Sequence, residues 1–266
     1  MNMIVLVKQV LDPEAPPSSF KIDPATNKAV PPSGLSPVIS PFDLQAVEAA
    51  LRIKDTKGGK ITIISLGLNL QRDVVKKPLA MGADELILLE DPAFVDGDSW
   101  STACALAAAI KKVGQFDLIF CGRQASDWDS GQVGIGIAEI LGLPQVTLAK
   151  KIEAMDGKVK VERVTSDGFE VVEVPTPALI TVSNELGEPR SANIKGIMAA
   201  KRKEPIMWKP VDIGLETSQI GTAGRRIKML KIFQPVRGGK CEIITGENEE
   251  EVGVNLAKKL VEVKLI

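Results

Sequence analysis

The chain has 266 residues, enough for one large α/β domain, and its 33 basic and 34 acidic side chains give a formal net charge of −1. This balance argues against a general nucleic-acid-binding surface and against electrostatic attachment to membranes. Histidine and tyrosine are absent, which excludes histidine-based triads and histidine metal ligands and favours cofactor binding over proton-transfer chemistry.

Cysteine usage and hydropathy predict a cytoplasmic protein. Cys104, Cys121 and Cys241 are far apart and form no Cys-x-x-Cys pair, so neither a disulfide framework nor a metal cluster is expected. Cys121 follows an apolar run, which predicts a buried, unreactive thiol. No stretch approaches the roughly 18 apolar residues of a membrane span, and the N-terminus lacks a signal-peptide layout.

In the first half of the chain, apolar strands alternate with helical patterns. Strands are predicted at residues 3–7, 61–66, 85–89 and 118–120. This alternation implies right-handed crossovers and an α/β fold with a doubly wound parallel sheet. Prolines between residues 13 and 41 interrupt it, and they predict either a small hairpin or a segment that covers a ligand.

The loops after the first, second and fourth strands are the predicted binding edge. They comprise residues 8–10, 66–69 and 122–134, and in doubly wound sheets ligands bind at the carboxyl ends of the strands. The third loop is rich in Gly, Ser and Asp and precedes a helix, which is typical of an anion-binding turn for a nucleotide phosphate. It lacks a Walker Gly-Lys-Ser/Thr and the dinucleotide fingerprint, so a glycine-rich connection needed only for packing is the alternative.

The second half of the chain has a different pattern. Period-two alternation near residues 158–174 around Asp167-Gly168 predicts a two-stranded ribbon, followed by a short buried strand at 178–182. A polar loop leads to a basic helix at 197–203. Residues 204–235 are low in periodicity and precede a closing helix at 248–263, so we predict an extended arm that lies on a partner chain.

Several segments, spread over essentially the full chain, resemble the β subunit of electron transfer flavoprotein and follow that family's order. They are residues 5–10, 41–43, 80–84, 121–125, 131–134, 143–145, 188–190 and 197–201. The resemblance implies a Rossmann-like, adenine-nucleotide-binding fold and a heterodimer whose α subunit carries FAD. It also implies a pocket in this chain that holds AMP or, in bifurcating members fed by NADH, a second FAD. Acyl-CoA or other dehydrogenases are the implied redox partners.

The resemblance also implies the residues of the pocket. Carried over by position, they are Leu6, Lys8, Ser40, Asp43, Leu66, Gly122, Arg123, Gln124, Ala125, Asp127, Asp129, Ser130, Gly131, Gln132, Val133 and Gly134. Many members have Asn where this chain has Ser40, and the loop tip here is small, so we favour the larger ligand, FAD. Residues 21–27 also look more like the bifurcating members. No residue is assigned a catalytic or metal-binding role.

Three charged residues of the pocket set have alternative interpretations. Arg123 is expected to pair with a phosphate or an α-subunit carboxylate, or to be an exposed arginine at a strand end. Asp127 and Asp129 are expected to bind ribose hydroxyls or to cap the following helix, with capping favoured for at least one. A paired-carboxylate hydrolase is the least favoured reading, since nothing orients a substrate between them.

A partner-recognition loop is implied near residues 184–196. In the family an exposed leucine enters a pocket on the dehydrogenase, and here the matching position is taken as Leu186, with Glu188, Pro189 and Arg190 beside it. The alternative is a leucine packed onto its own sheet. The basic residues that follow either steer an acidic partner or form a solvated helix face.

The predicted organisation is a nucleotide-binding domain at 1–203 and a C-terminal arm and helix at 204–266 that pack on the α subunit. The predicted function is an electron carrier subunit. Two alternatives share the fold: a nucleotide-dependent enzyme, which the missing Lys-bearing phosphate loop argues against, and a stand-alone adenine-nucleotide sensor, which would have no use for the arm.

Overall fold

The computed structural model describes residues 1–16, 19–30, 32–234 and 241–266. Its contacts divide the chain into two units, residues 1–230 and residues 231–266. The proline-rich segment and the C-terminal arm predicted above each include residues outside the described ranges.

The secondary structure alternates as the sequence predicts. The strands are β1 (Asn2–Leu6), β2 (Gln9–Val10), β3 (Lys21–Asp23), β4 (Lys28–Val30), β5 (Val38–Ile39), β6 (Lys60–Gly67), β7 (Glu85–Glu90), β8 (Leu118–Gly122), β9 (Gln145–Ala154), β10 (Lys158–Thr165), β11 (Gly168–Pro175), β12 (Ala178–Val182) and β13 (Ile206–Trp208). The α-helices are α1 (Pro41–Lys57), α2 (Arg72–Val75), α3 (Lys77–Met81), α4 (Ser99–Val113), α5 (Val133–Leu141), α6 (Ile194–Arg202), α7 (Gly221–Gly224) and α8 (Glu249–Glu262).

Nine of these strands form one sheet in the order β11-β10-β9-β12-β8-β1-β6-β7-β13. Along the sheet, the seven strands β9, β12, β8, β1, β6, β7 and β13 pair in parallel, each with the next. Strands β10 and β11 extend the sheet beyond β9 as an antiparallel ribbon. Strands β8 and β12 are buried along their whole length, as expected for parallel strands covered on both faces. The predicted α/β fold with a doubly wound sheet is confirmed.

Successive residues of the central strands enter two different cores. On β1, Val5 belongs to the core that packs against α1, and Ile4 belongs to the core that packs against α4 and α5. This alternation follows from the two-residue repeat of a strand and places helices on both faces. The sheet is therefore held from both sides, and its strand ends are rigid points from which the loops emerge.

The direction of winding changes between β1 and β8. From β1 the chain moves outward through β6 to β7, and then it returns through α4 to β8 on the other side of β1. Such a switch point opens a crevice at the carboxyl ends of the two strands. The fold thus has its switch point at the edge predicted for the ligand.

In two places the fold differs from the sequence predictions, and in a third it decides between two of them. The ribbon has a third strand, β9, which pairs with β10. The proline-rich segment contains the hairpin β3–β4, which was one of its two interpretations. Strand β13 pairs in parallel with β7, so residues 204–230 belong to the first unit and the part of the arm outside that unit begins at residue 231.

Candidate functional site

The side chain of Asp43 joins the ends of the two central strands. It lies in the first turn of α1 with only 6% of its surface exposed. Its Oδ2 accepts a hydrogen bond from the backbone N–H of Lys8 at 2.8 Å, and its Oδ1 accepts one from Gly122 at 3.1 Å. Burial raises the pKa of Asp43 to about 7, against the lowering effect of these two hydrogen bonds. Asp43 therefore positions the loops after β1 and β8.

Gly122 ends β8 where the backbone must approach α1 closely. A Cβ atom at this position would lie 2.6 Å from Asp43 Oδ1 and 2.7 Å from the carbonyl carbon of Phe42. Any larger residue would push α1 away from the strand and break the Asp43 bridge. The glycine predicted for close ligand approach is thus required first by packing.

Two further contacts bring the three predicted loops together. Lys8 Nζ lies 2.7 Å from Asp127 Oδ2, which ties the loop after β1 to the loop after β8. The Gln9 side chain accepts a hydrogen bond from the backbone N–H of Gln71 at 2.7 Å, which ties it to the segment after β6. The sequence argument did not select Gln9, although it lies in the first matched segment. The predicted convergence of loops at one edge of the sheet is present.

The loop after β8 folds into a compact turn. The backbone N–H of Asp129 donates to Ala125 O at 2.9 Å, and its carboxylate accepts a hydrogen bond from Gln124 Nε2 at 2.8 Å. Asp129 and Gly131 have left-handed φ values of 51° and 62°. Turns that contain left-handed residues are a common place for backbone N–H groups to bind anions.

Helix α5 begins directly after this turn. Its N-cap is Gln132, which makes no side-chain capping hydrogen bond, so the prediction that Asp127 or Asp129 caps the helix is wrong. Asp127 is held by Lys8 and Asp129 by Gln124 instead. Because the first N–H groups of a helix have no intrahelical acceptor, the start of α5 presents donors beside the turn.

Glycine at position 134 lets α5 lie flat on the sheet. A Cβ atom there would lie 2.6 Å from the sulfur of Cys121. Cys121 itself is buried, and burial raises the pKa of its thiol, which fits the predicted unreactive cysteine. The packing interpretation of the glycine-rich loop therefore holds for Gly122 and Gly134, whereas Gly131 is required by its left-handed backbone.

Several polar atoms around this edge are buried without a hydrogen-bond partner in the described protein. They include Ser40 Oγ, Ser126 Oγ and Arg123 Nε. Buried polar atoms are nearly always satisfied in native proteins, by protein groups, by ordered water or by a bound molecule. Arg123 is half-buried, and its Nη1 donates to Asn184 Oδ1 at 3.3 Å, so it is not a free arginine at a strand end.

The remaining predicted pocket residues fall into two groups. Leu6 is buried in the core and Leu66 packs against it, so they support the strand ends. The others lie in the turn after β8 or at the start of α5, and they are Ala125, Ser130, Gln132 and Val133. Ser130 Oγ lies 3.4 Å from Ser99 Oγ in the first turn of α4, a residue that the sequence argument did not select.

The predicted exposure of Leu186 is wrong. Leu186 is only 8% exposed and belongs to the core, because the 3₁₀ turn Asn184–Leu186 directs it onto the sheet. Arg52 Nη1 donates a hydrogen bond to the Leu186 carbonyl at 3.1 Å and holds this turn on α1. The interpretation of a leucine packed onto its own sheet is the one that the structure adopts.

Arg190 is also engaged within the chain. Its Nε lies 2.8 Å from Glu48 Oε2 and its Nη2 lies 2.8 Å from Asp55 Oδ2, both on α1. Burial raises the pKa of Glu48, but hydrogen bonds from Arg190 and Arg52 outweigh it and bring the pKa below the ordinary value. Arg190 thus fixes the loop, while Glu188 is exposed and Pro189 is half-buried.

The exposed apolar surface of this region lies on the next helix, α6. Ile194, the first residue of α6, is 78% exposed, and Ile197 and Met198 are also exposed. Asn193 caps the helix by accepting a hydrogen bond from Gly196 at 2.7 Å. Basic residues flank this apolar surface at Lys195 and Arg202.

Comparison with known proteins identifies a family. Residues 33–213 match the electron transfer flavoprotein domain. The chain is 42% identical over 261 residues to the electron transfer flavoprotein subunit beta of Thermoanaerobacterium thermosaccharolyticum, covering 98% of each chain. It is 39% identical to the caffeyl-CoA reductase-Etf complex subunit CarD of Acetobacterium woodii and 33% identical to the acryloyl-CoA reductase electron transfer subunit gamma of Anaerotignum propionicum, covering 100% of each chain.

Among the residues described, none of the helices is long and apolar enough to cross a bilayer. A domain match over most of the first unit and relatives that match over the full length lead to one assignment. The chain belongs to the electron transfer flavoprotein family, and several of its relatives that match over nearly the full length are named electron transfer flavoprotein subunit beta.

Proposed function

We propose that this chain binds the adenylate part of FAD or AMP between the loops after β1, β6 and β8. The observation that supports this most directly is the convergence of those loops, joined by the Lys8–Asp127 ion pair and the Asp43 bridge. A nucleotide phosphate needs N–H donors and positive charge. The start of α5 offers the donors, and the Lys8 ammonium, which is paired with Asp127, lies at the same edge.

The proposed roles of the pocket residues follow from their chemistry. The turn around Asp129 and Gly131 supplies backbone N–H groups to phosphate, and Lys8 and Arg123 supply positive charge. The hydroxyl of Ser126, in the same loop, has no hydrogen-bond partner within the described protein, and we assign it to the sugar or the base. A bound flavin would supply the redox chemistry, since it accepts one or two electrons, while the protein positions it.

We favour FAD over AMP as the ligand of this pocket. The residues at the loop tip and before α1 are small, notably Ser130, Gly131 and Ser40, which leaves room for a larger molecule. The names of two relatives place them with a caffeyl-CoA reductase and an acryloyl-CoA reductase, which supports a partner that acts on CoA thioesters. A cytoplasmic location is part of the same proposal. Electron bifurcation from NADH belongs to the same proposal.

Two partners are proposed, on different surfaces. A flavin-carrying α subunit is the partner of residues 231–266, where α8 has no buried residue and exposes Val254, Leu256 and Val261. A dehydrogenase is the partner of the exposed apolar surface of α6 around Ile194, in place of the buried Leu186. Exposed apolar residues ringed by charge are typical of such docking sites.

The test is to purify the chain with its natural companion subunit, release the ligands by denaturation and count them per pair. Two flavins per pair support FAD in this pocket, and one flavin with one AMP supports the AMP form. A colourless chain that carries ATP and binds no companion would contradict the proposal and favour the sensor or the enzyme.

A further inference from the structure

Asp98 has a second role besides starting a helix. As the N-cap of α4, it accepts a hydrogen bond from the backbone N–H of Ser101 through Oδ1 at 2.9 Å. Its other oxygen, Oδ2, accepts hydrogen bonds from the backbone N–H groups of Arg226 at 2.6 Å and Ile227 at 2.9 Å. One carboxylate therefore caps α4 and holds a segment 128 residues further along the chain.

Two neighbouring contacts hold the same segment. The guanidinium carbon of Arg226 lies 3.5 Å from the centre of the Trp100 ring, within cation–π range. Upstream, Gly221 packs so closely on the backbone before α4 that a Cβ atom would lie 2.1 Å from Ala93 O. Burial raises the pKa of Asp98, but the hydrogen bonds from Ser101, Arg226 and Ile227 outweigh it and lower the pKa, which keeps the carboxylate charged.

The residues after this anchor, 227–230, form an exposed strip at the end of the first unit. Ile227, Met229 and Leu230 are all exposed, and Leu230 is 83% exposed. Lys228 lies between them, so the strip is apolar and basic. Three exposed large apolar residues in a row of four are costly in water, which favours a covered state against another protein.

The geometry points to Asp98 as the positioning residue that fixes the start of this strip for docking on the companion flavin-carrying subunit. The inference rests on the proposed heterodimer. Because the backbone at Arg226 and Ile227 is already held, the strip loses less conformational freedom when the companion binds. A basic, apolar strip is complementary to an apolar surface with acidic residues at its rim, and the strip continues in sequence into residues 231–266, the segment proposed to bind that subunit.

The test uses the full chain and compares Asp98→Asn with Ser101→Ala. Asparagine is as good an N-cap as aspartate, so D98N keeps the start of α4. Its amide NH₂ faces the backbone N–H groups of Arg226 and Ile227, and because both sides are donors these hydrogen bonds are lost. S101A removes the reciprocal half of the same cap without touching the strip. We expect D98N to weaken binding of the natural companion subunit about tenfold, the effect of losing about 1.4 kcal/mol, while S101A stays within about twofold of wild type.

Trypsin cleavage of the isolated chain provides a second readout that needs no companion. We expect D98N to accelerate cleavage after Arg225, Arg226 and Lys228 by about tenfold, as mass spectrometry of the fragments would show, and Arg226→Ala to have a smaller effect on cleavage after Lys228. Wild-type values for D98N in either assay, or equal losses in S101A, would overturn the inference. A wild-type chain that binds no companion contradicts the proposed heterodimer instead, and cleavage still tests the anchor.

Discussion

Asp43 shows how one buried carboxylate organises the site. It replaces two bonds to water with two backbone N–H groups on adjacent strand ends, 35 and 79 residues away in sequence. The motif that carries it was recognised from the sequence, and the residue was expected to contact the ligand. Its bridging role could not be predicted, because it depends on the pairing of β1 with β8 and on the packing of α1 against the ends of both strands.

The raised pKa of Asp43 predicts a pH-dependent stability. The folded chain holds this proton up to about pH 7 and the unfolded chain only to its ordinary pKa of 3.8. Asp43 therefore favours the folded state below pH 4, and this contribution is lost as the pH rises to about 7, by up to about 4 kcal/mol. Denaturant unfolding of wild type and Asp43→Asn measures it as a pH-dependent difference in free energy of unfolding. Parallel curves from pH 4.5 to pH 8 would contradict the assignment.

Arg190 illustrates a different limit of sequence reasoning. Its partner Glu48 lies 142 residues away in the sequence, so nothing local distinguishes it from an arginine that binds a partner. Arg190→Ala leaves the buried Glu48 with only Arg52, and we expect the free energy of unfolding to fall by about 2–3 kcal/mol. Glu188→Ala, in the same loop but exposed, is the control and should change stability by less than about 0.5 kcal/mol.

Among the elements, the loop after β8 carries a natural probe. Trp128 lies between Asp127 and Asp129 and is 55% exposed, although large aromatic residues are usually buried. We expect FAD bound at this loop to quench the fluorescence of Trp128, so Trp128→Phe should remove most of the fluorescence change on FAD addition. Trp208→Phe is the control, since Trp208 lies on the edge strand β13. A change that persists fully in W128F would place the flavin elsewhere.

A variant in helix α6 and a variant in the loop before it distinguish a partner-binding role from a structural one. Ile194→Glu places a charge on the exposed apolar surface, and we expect electron transfer from an acyl-CoA dehydrogenase to slow about tenfold with an unchanged melting temperature. Leu186→Ala should do the reverse, with a loss of about 2–3 kcal/mol in stability and a normal transfer rate at 25 °C. Slow transfer in L186A with wild-type stability would restore Leu186 as the anchor.

The elements that the sequence argument missed have physical reasons. On β9, Lys150 and Lys151 interrupt the alternation, and Leu148 has a left-handed φ of 59°, so residues 145–154 do not read as a regular strand. Strand β13 has only three residues and depends on pairing with β7, which lies more than 100 positions earlier. Short strands of this kind are stabilised by tertiary contacts rather than by local propensity.

At the scale of the whole molecule, the architecture was the most predictable part. Long apolar runs between helical patterns fixed the parallel sheet, and the sheet in turn placed three loops at one edge. The division of the chain was harder, because the composition changes near residue 204 whereas the contacts change near residue 230. A change in composition is a local property of the sequence, whereas the unit boundary depends on tertiary contacts such as the pairing of β13 with β7.

The central claim is that the carboxyl edge of β1, β6 and β8 holds an adenine nucleotide. A crystal structure of the chain purified with its companion subunit tests this most directly. The predicted result is nucleotide density between Lys8, Ser126 and the start of α5, with its phosphate on the turn around Gly131. Density for the nucleotide at another place, or an edge filled by the chain's own side chains, would contradict it.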